Sequence, residues 1–297
     1  MNSSTVNIAF CINRLALIGL GVTISSLVRN CAQTSKLKLN FLCAGLTDDD
    51  KNNINELLKL ENYKGSVAFM DFEASKAFGS FKSLHGDWTT YGRLLLPELI
   101  KEKSVLYLDA DLVVEADVLE VEGFDFQDMA LAVVNSGLIK YTLERKFFVE
   151  VLGISPSTPT FNAGVLLFNL DRWREDKLKE KCLAFASRYP MELLSCDQTI
   201  LNALFLKFSS LPAHFNCEWL PYHQQPATGK KMIFHFVGSP KPWDILGFLV
   251  HNGHLTWKSY LNPYWAKHYS KLSLGDLKRA WKIRRSYFRV MKLKLKK

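Results

Sequence analysis

Short apolar runs alternate with helix-like segments along this chain. The runs VNIAFCI (6–12), KLNFLCA (38–44) and SVAFM (66–70) are separated by helical patterns near 19–31 and over Asp48–Leu60. Parallel strands need crossover segments of this kind, and strands covered on both faces have nearly continuous apolar sequences. The alternation therefore predicts an α/β fold with a mostly parallel central sheet.

The same pattern continues towards the C-terminus. Further strands are predicted at SVLYLDAD (104–111), MALAVVN (129–135), NAGVLLFNL (162–170) and IFHFV (233–237), which is the last strand that the pattern supports. Helices are predicted over Trp88–Ile100, where Pro97 should kink or end the helix, and near 141–152, 171–188 and 197–207, with a loop at 155–160. The simplest division is one α/β domain over 1–255 and a helical, basic C-terminal extension over 256–297.

Cysteine usage and the N-terminal sequence indicate the cellular compartment. The six cysteines are scattered, form no C-x-x-C pair and lie mostly in apolar surroundings, as reduced thiols do. Residues 1–5 carry no basic cluster, and the apolar stretch after Arg14 is interrupted by glycine and hydroxyl residues. We expect no signal peptide and no membrane span, and we expect the protein to be cytoplasmic.

Positive charge is concentrated at the C-terminus. Residues 278–297 hold six lysines and four arginines without an acid, while the whole chain has a net charge of +9, so the rest is close to neutral. This distribution argues against a nucleic-acid-binding protein, whose body would be basic. Four apolar side chains recur at helical spacing in the tail among four cations: Trp281, Phe288, Met291 and Leu295 among Arg284, Arg285, Arg289 and Lys292.

Such a basic amphipathic helix favours peripheral attachment to an anionic membrane surface. Two alternatives stay open at this point. The aromatic stripe packs on the α/β domain, or the tail binds nucleic acid through phosphate contacts alone.

Two segments carry candidate chemistry. Asp109 and Asp111 follow a buried strand with the spacing that points both side chains to one side, and paired carboxylates at a strand end can hold a hard divalent cation. In HFVGSPKPW (235–243), His235 can ligate a metal, Gly238 allows close backbone approach, and Lys241 offers a charge for phosphate. The alternatives are purely structural roles: the aspartates cap a turn, and the histidine is a hydrogen-bonded core residue.

These segments, with others in the same order, resemble glycosyltransferase family 8 and, within it, the bacterial lipopolysaccharide-core hexosyltransferases. The resemblance covers residues 6 to about 245 and rests on NIAFCINRLALIGLGVTISSL, WTTYGRLLLPEL, VLYLDADLVV, FNAGVLLFNL with RW, DQTILNALF and HFVGSPKPW. It implies a GT-A fold, a UDP-glucose or UDP-galactose donor, and transfer with retention to a saccharide acceptor such as lipopolysaccharide core. It also implies Mn²⁺, with Mg²⁺ as the alternative ion, held by Asp109, Asp111 and His235.

The resemblance also assigns roles to individual residues. Gly238 and Lys241 should contact the donor diphosphate, while Arg93, Asn162, Asp197 and Gln198 should surround the donor hexose, and His85 should handle the acceptor. On their own, Arg93 could be a surface residue, Asp197 a helix N-cap and Asn162 a strand cap. The family usually has an aspartate after the first strand that accepts a hydrogen bond from uracil. This chain has Asn13 there, whose oxygen can accept that bond without charge assistance.

Retention leaves two mechanisms. A covalent intermediate needs a carboxylate near the anomeric carbon, for which Asp197 is the nominee, whereas front-face transfer lets the leaving diphosphate take the acceptor proton. We expect front-face transfer, with Gln198 stabilising the sugar cation. An acceptor embedded in the inner membrane would place the enzyme on its cytoplasmic face. The rival hypothesis is a noncatalytic nucleotide-sugar or polyanion-binding protein on the same fold.

Overall fold

The computed structural model describes residues 5–83, 86–227 and 229–295 of the chain. The strands in these residues are β1 (Val6–Asn13), β2 (Leu37–Ala44), β3 (Ser66–Asp71), β4 (Ser104–Leu108), β5 (Leu112–Val114), β6 (Leu131–Leu138), β7 (Pro159–Asn169), β8 (Ser209–Ser210), β9 (Cys217–Glu218) and β10 (Ile233–His235). The α-helices are α1 (Leu17–Asn30), α2 (Asp48–Leu60), α3 (Ala74–Phe78), α4 (Leu96–Leu99), α5 (Leu170–Glu175), α6 (Leu178–Arg188), α7 (Asp197–Leu204), α8 (Gly247–Val250), α9 (His254–Ser259), α10 (Pro263–Tyr269), α11 (Leu274–Lys282) and α12 (Arg284–Lys294).

A central sheet organises the fold. Within the described residues its strand order is β3-β2-β1-β4-β7-β6-β8, and β1 to β4 are parallel to their neighbours among these four. Strand β7 runs antiparallel to both β4 and β6. A smaller sheet has the order β5-β10-β9. The predicted α/β fold with a mostly parallel central sheet is therefore confirmed, and the ends of β1 and β4 lie at one edge, where open α/β sheets bind ligands.

Apolar side chains are buried on both faces of this sheet. Phe10, Phe41 and Phe69 lie in register on β1, β2 and β3, with neighbouring ring centroids 5.3 Å apart. Helices α1, α2 and α10 contribute to the core on one face, and α5 to α7 contribute on the other. Trp265 of α10 lies so close to Gly21 of α1 that a Cβ there would come within 2.1 Å of the indole. Helix α10 is therefore packed closely against α1 and the main sheet.

Several element boundaries depart from the sequence pattern. The predicted helix over Trp88–Ile100 is a 3₁₀-helix, Thr89–Leu95, followed by α4, and Pro97 lies in the first turn of α4. A proline is tolerated there because the first amides of a helix have no intrahelical acceptor. Near 141–152 the structure has a π-helical turn, Phe147–Val151, and the predicted loop at 155–160 ends early because β7 begins at Pro159.

The helical pattern near 171–188 forms two helices. Helix α5 ends at Glu175 and α6 begins at Leu178, with Lys177 between them in the left-handed conformation at φ +51°. A side chain in this conformation interrupts the regular helix. Periodicity predicts the apolar faces of both helices. It does not show that the single residue Lys177 between them has a left-handed backbone conformation.

The C-terminal extension also consists of separate helices. Trp257 and Trp265 are buried, and the Trp265 indole donates to the Leu17 carbonyl at 2.8 Å, so residues before 270 pack on the body. The division between residues 255 and 256 stays a prediction. The predicted tail helix is two helices, α11 and α12, separated at Ile283. Its four predicted stripe residues are exposed: Trp281, Phe288, Met291 and Leu295.

The cysteines are free thiols in this structure, and burial raises the pKa of Cys11 and Cys182. They act as small apolar groups of the core. In the described parts of the chain, every helix is too short or too polar to cross a bilayer.

Candidate active site

Two aspartates stand where the main sheet meets the smaller sheet. Asp109 and Asp111 lie between the end of β4 and the start of β5. The Asp109 amide donates to the Gly164 carbonyl at 2.8 Å, and the Phe236 amide donates to the Asp111 carbonyl at 3.1 Å. The backbone of the pair is thus held by β7 on one side and by the segment after β10 on the other. Both carboxylates are half-buried.

His235 approaches this pair from β10. Its Nε2 lies 3.2 Å from Asp111 Oδ1 and 3.9 Å from Asp109 Oδ2, and one ligand atom from each residue lies within 4.8 Å of the others. Its Nδ1 lies 3.1 Å from Asn216 Oδ1. Because an amide oxygen only accepts, Asn216 favours a proton on Nδ1 and directs the Nε2 lone pair towards the carboxylates.

This set of donor atoms fits a divalent cation. Asp111 Oδ1 is buried, and apart from the contact with His235 Nε2 at 3.2 Å it has no hydrogen-bond partner among the described residues. A buried acceptor without a partner is costly, and a bound cation would satisfy it. Carboxylates and imidazole together are common ligands of transition-metal ions such as Mn²⁺. The residues that could hold the ion are therefore Asp109, Asp111 and His235, as the sequence analysis expects.

Gly164 makes room for the imidazole. A Cβ at this position would lie 2.2 Å from Cε1 of His235 and 2.9 Å from its Nε2. Real side chains do not approach this closely, so any larger residue would displace the ring. The sequence analysis treated Gly164 as part of a strand, because the glycine pattern alone does not show which side chain lies against it.

Neighbouring charges shift the pKa values of the cluster. Burial raises the pKa of Asp111, but Lys241 and His235 lower it by more, so the result is well below the ordinary value. Burial lowers the pKa of His235, but the Asp111 and Asp109 carboxylates raise it above its usual 6.5. A proton and a metal compete for this imidazole, so acidification opposes metal binding.

Lys241 reaches the cluster from the loop after β10. Its ammonium donates to Asp111 Oδ2 at 2.7 Å and also to the Phe236 carbonyl. Gly238 begins the same loop with φ at +73°, and a Cβ there would lie 3.3 Å from Leu220. This conformation favours glycine. The loop therefore places a compact positive charge beside the group of Asp109, Asp111 and His235, which we call the metal-type cluster. A phosphate group could be bound there.

Arg93 is buried beside Asp109 and is not a surface residue. Its Nη2 lies 3.0 Å from Asp109 Oδ1, and its Nε lies 3.0 Å from Asp197 Oδ2. Burial lowers the pKa of Arg93, but Asp197, Tyr107 and Asp109 raise it by more. The Tyr107 hydroxyl also donates to Asp109 at 2.6 Å. Arg93 thus joins the end of β4 to the start of α7.

Asn162 and Gln198 line a cavity of about 280 Å³ at the edge of β7. Gln198 Oε1 accepts from the Ala163 amide at 2.9 Å, and Asn162 Oδ1 accepts from the Gly164 amide at 2.8 Å. Asn216 Nδ2 lies 3.3 Å from Asn162 Oδ1, which connects the cavity to His235. Other polar side chains that line the cavity include Glu144, Thr160, Ser195 and Glu218.

The side-chain amide of Asn13 is already hydrogen-bonded within the protein. Its Oδ1 accepts from the amides of Leu15 and Ala16 at 2.9 and 3.2 Å, and its Nδ2 donates to Asp87 Oδ2 at 2.7 Å. The oxygen that we expected to face a nucleobase caps a 3₁₀ turn, and its two lone pairs are used there. The predicted acceptor residue, His85, lies outside the described residues.

Sequence reasoning missed four residues of this site. Tyr107 and Gly164 lie on apolar strands, where the pattern predicts core residues. Asn216 and Glu218 follow a segment without a clear pattern. Glu218 is exposed, its carboxylate lines the same cavity as Gln198, and partial desolvation by the surrounding protein raises its pKa. Only the pairing of β9 with β10 brings Asn216 and Glu218 to His235.

The open α/β sheet, with a carboxylate pair, an imidazole and a lysine at one edge, matches the GT-A-type fold of solved glycosyltransferases. The chain resembles the solved galactosyltransferase LgtC, which was crystallised with donor and acceptor sugar analogues, with a TM-score of 0.71 and 23% identity over 91% of this chain and 98% of that one. Mouse xyloside xylosyltransferase 1 has the same fold, with a TM-score of 0.60 and 17% identity over 78% of this chain and 97% of that chain.

Sequence comparison identifies the family. Residues 7–246 match the model of glycosyl transferase family 8, and the chain belongs to that family. The lipopolysaccharide 1,3-galactosyltransferase of Salmonella typhimurium is 26% identical over 88% of this chain and 85% of its own length. The lipopolysaccharide glucosyltransferase WaaO of Escherichia coli is 24% identical over 80% of this chain and 72% of its own. The general stress protein A of Bacillus subtilis is 25% identical over 76% and 82%.

Proposed function

We propose that this glycosyltransferase is a metal-dependent, retaining hexosyltransferase that moves glucose or galactose from a UDP-sugar to a saccharide acceptor. The observation that carries this proposal is the convergence of Asp109, Asp111 and His235 within 4.8 Å, with Lys241 hydrogen-bonded to Asp111 at 2.7 Å. Lysine, carboxylates and imidazole are the groups that bind a metal diphosphate. A noncatalytic binding protein has no evident need for all four.

The residues of the cluster divide the work of leaving-group departure. When bound by Asp109, Asp111 and His235, Mn²⁺ or Mg²⁺ would supply Lewis-acid stabilisation of the negative charge that develops on the diphosphate. Lys241 adds a fixed positive charge beside it, and Gly238 lets the loop backbone approach the phosphates closely. Arg93 holds Asp109 in position, so that its carboxylate orientation does not depend on solvent.

The cavity beside Gln198 suits the sugars. Its polar lining contains amides, hydroxyls and carboxylates, which are the groups that hydrogen-bond sugar hydroxyls, and Asn162 joins it to the metal-type cluster. We assign the donor hexose to the side of Asn162 and Gln198, and the acceptor to the outer part. The relatives named as lipopolysaccharide galactosyl- and glucosyltransferases support lipopolysaccharide core as the acceptor class.

Front-face transfer is the mechanism that the residues favour. Asp197 is only 3% exposed and faces Arg93, an arrangement that withdraws it from nucleophilic attack on a sugar. Gln198 is an amide and a poor nucleophile, but its side chain is held against β7 and can stabilise a developing sugar cation. In this mechanism the departing diphosphate oxygen accepts the proton of the acceptor hydroxyl. A hexose ester on Asp197, detected by mass spectrometry during turnover, contradicts it.

The nucleobase is the least defined part of the donor. Because both lone pairs of Asn13 Oδ1 are used by backbone amides, we propose that Asn13 serves the donor site by shaping the turn and by holding Asp87.

We propose the cytoplasmic face of the inner membrane as the location, with α11 and α12 on the anionic lipid surface. The exposed aromatic side chains of these helices support this location, because they do not pack on the body.

The first experiment measures UDP release by purified protein from UDP-glucose, UDP-galactose and their N-acetyl forms, with Mn²⁺ or with a chelator. We expect release from one hexose donor that needs the metal and falls about 100-fold or more in Asp111→Asn, the scale of losing an electrostatic stabiliser. Asp125→Asn, the same change on the exposed surface, is the matched control. Binding of UDP-sugars without any metal-dependent release would instead support the noncatalytic alternative.

A further inference from the structure

The loop that carries Lys241 is tied to the C-terminal helices through one buried carboxylate. Asp244 has a side chain that is only 5% exposed, and its Oδ2 accepts from the Lys241 amide at 2.6 Å. Arg279 of α11 binds the same carboxylate through two nitrogens, with Nε to Oδ1 at 2.6 Å and Nη2 to Oδ2 at 3.0 Å. Two-point binding of this kind fixes the carboxylate in orientation as well as in place.

The rest of the contact supports the same loop. The Tyr287 hydroxyl of α12 donates to the Ile245 carbonyl, and Lys294 Nζ donates to the Leu249 carbonyl at 3.0 Å. Val290 of α12 is buried, while most of the other side chains of this helix are exposed. The two terminal helices therefore contact the body along the segment 244–249, directly after Lys241.

We propose that Arg279 is a positioning residue for Lys241: by holding Asp244, it fixes the backbone from which the Lys241 ammonium reaches the donor diphosphate. This inference rests on the proposed function. The chain of contacts runs from Arg279 to the Asp244 carboxylate, from there to the Lys241 amide, and from the Lys241 side chain to Asp111. The helix pair that we assign to the membrane thus belongs also to the donor site.

The structure offers a matched control. Arg29 binds Glu61 through two nitrogens at 2.7 Å each, and its side chain is 38% exposed, compared with 42% for Arg279, while each carboxylate partner is 5% exposed. Arg29→Ala therefore breaks an ion pair of the same geometry and burial that does not hold the Lys241 loop. Both alanine variants should lose similar stability, which thermal unfolding measures.

The test is calorimetric binding of UDP in the presence of Mn²⁺ to the full chain and its variants. We expect Arg279→Ala to weaken UDP binding about fivefold or more, Arg279→Lys to restore part of it, and Arg29→Ala to stay within about twofold. In a Lys241→Ala background, Arg279→Ala should have no further effect on UDP binding, because the positioned group is gone.

Two results overturn this proposal while leaving the proposed function standing. One is wild-type affinity in Arg279→Ala, and the other is an equal loss with and without Lys241, which would mark a general structural defect. If the unaltered chain itself binds no UDP with Mn²⁺, the proposed function fails, and the role of Arg279 fails with it.

Discussion

Single residues at this site are constrained by what lies against them. Asp111 has one oxygen held by Lys241 and one that is buried beside the imidazole of His235. The sequence analysis could name these three residues because carboxylate, lysine and histidine each have a limited chemical repertoire. It could not name Gly164 or Asn216, whose roles are to leave space and to accept one hydrogen bond.

Gly164→Ala tests whether the imidazole position determines metal affinity. The added methyl group would meet the His235 ring at 2.2 Å, so the ring must move and Mn²⁺ affinity should fall about tenfold or more, as when a group supporting a ligand is lost. Gly137→Ala, where the nearest atom lies at 3.5 Å, is the control for the same substitution. Calorimetric titration with Mn²⁺ measures both, and equal affinities would show that the position of the imidazole does not determine metal affinity.

At the scale of elements, the site depends on where strands end and which helices face them. Strand β7 was predicted from its apolar sequence, but its antiparallel direction between β4 and β6 was not. Periodicity reports which faces are buried and carries no information on the neighbour of a strand. The same limit applies to the 3₁₀-helix Thr89–Leu95, because its pattern differs little from that of an α-helix.

The contribution of Arg93, on this 3₁₀-helix, to the stability of the fold can be tested. Arg93→Ala would leave Asp197 buried without its cation and Asp109 without one of its partners, at a cost of about 3–5 kcal/mol in the free energy of unfolding. Arg172→Ala removes an exposed pair with Asp176 and should cost less than about 1 kcal/mol. Urea denaturation compares the two variants, and similar losses would mean that the Arg93 network contributes little to stability.

At the scale of the whole molecule, charge is unevenly distributed between a nearly neutral body and the cationic helix pair α11 and α12. Ten basic residues without an acid in 278–297 were evident in the sequence, but the break at Ile283 was not. Residues Leu274, Leu277 and Trp281 lie on one face of α11 and are exposed, as is the stripe on α12. This combination of exposed apolar groups and surrounding cations is typical of helices at a membrane interface.

Sedimentation with phosphatidylglycerol-containing vesicles tests this surface. We expect the intact chain to sediment with them, and the double variant Trp281→Ser/Phe288→Ser to bind about fivefold less, because it loses two exposed aromatic anchors. Met191→Ser/Leu60→Ser, which changes two exposed apolar residues elsewhere, is the control. Binding should weaken at high salt and with neutral lipid, and sedimentation of the stripe variant equal to that of the intact chain contradicts the assignment.

The sequence by itself determined the order of most strands and helices, the α/β class, and the chemical identity of the metal-type residues and the lysine. It could do so because strand and helix periods are local and because few residue types can bind metal or phosphate. Only the tertiary structure decided that Asn13 holds Asp87, that Asn216 orients the His235 ring, and that Arg279 binds the loop of Lys241 through Asp244. These contacts join residues far apart in the chain, so they arise from packing between elements and leave no mark in any one segment.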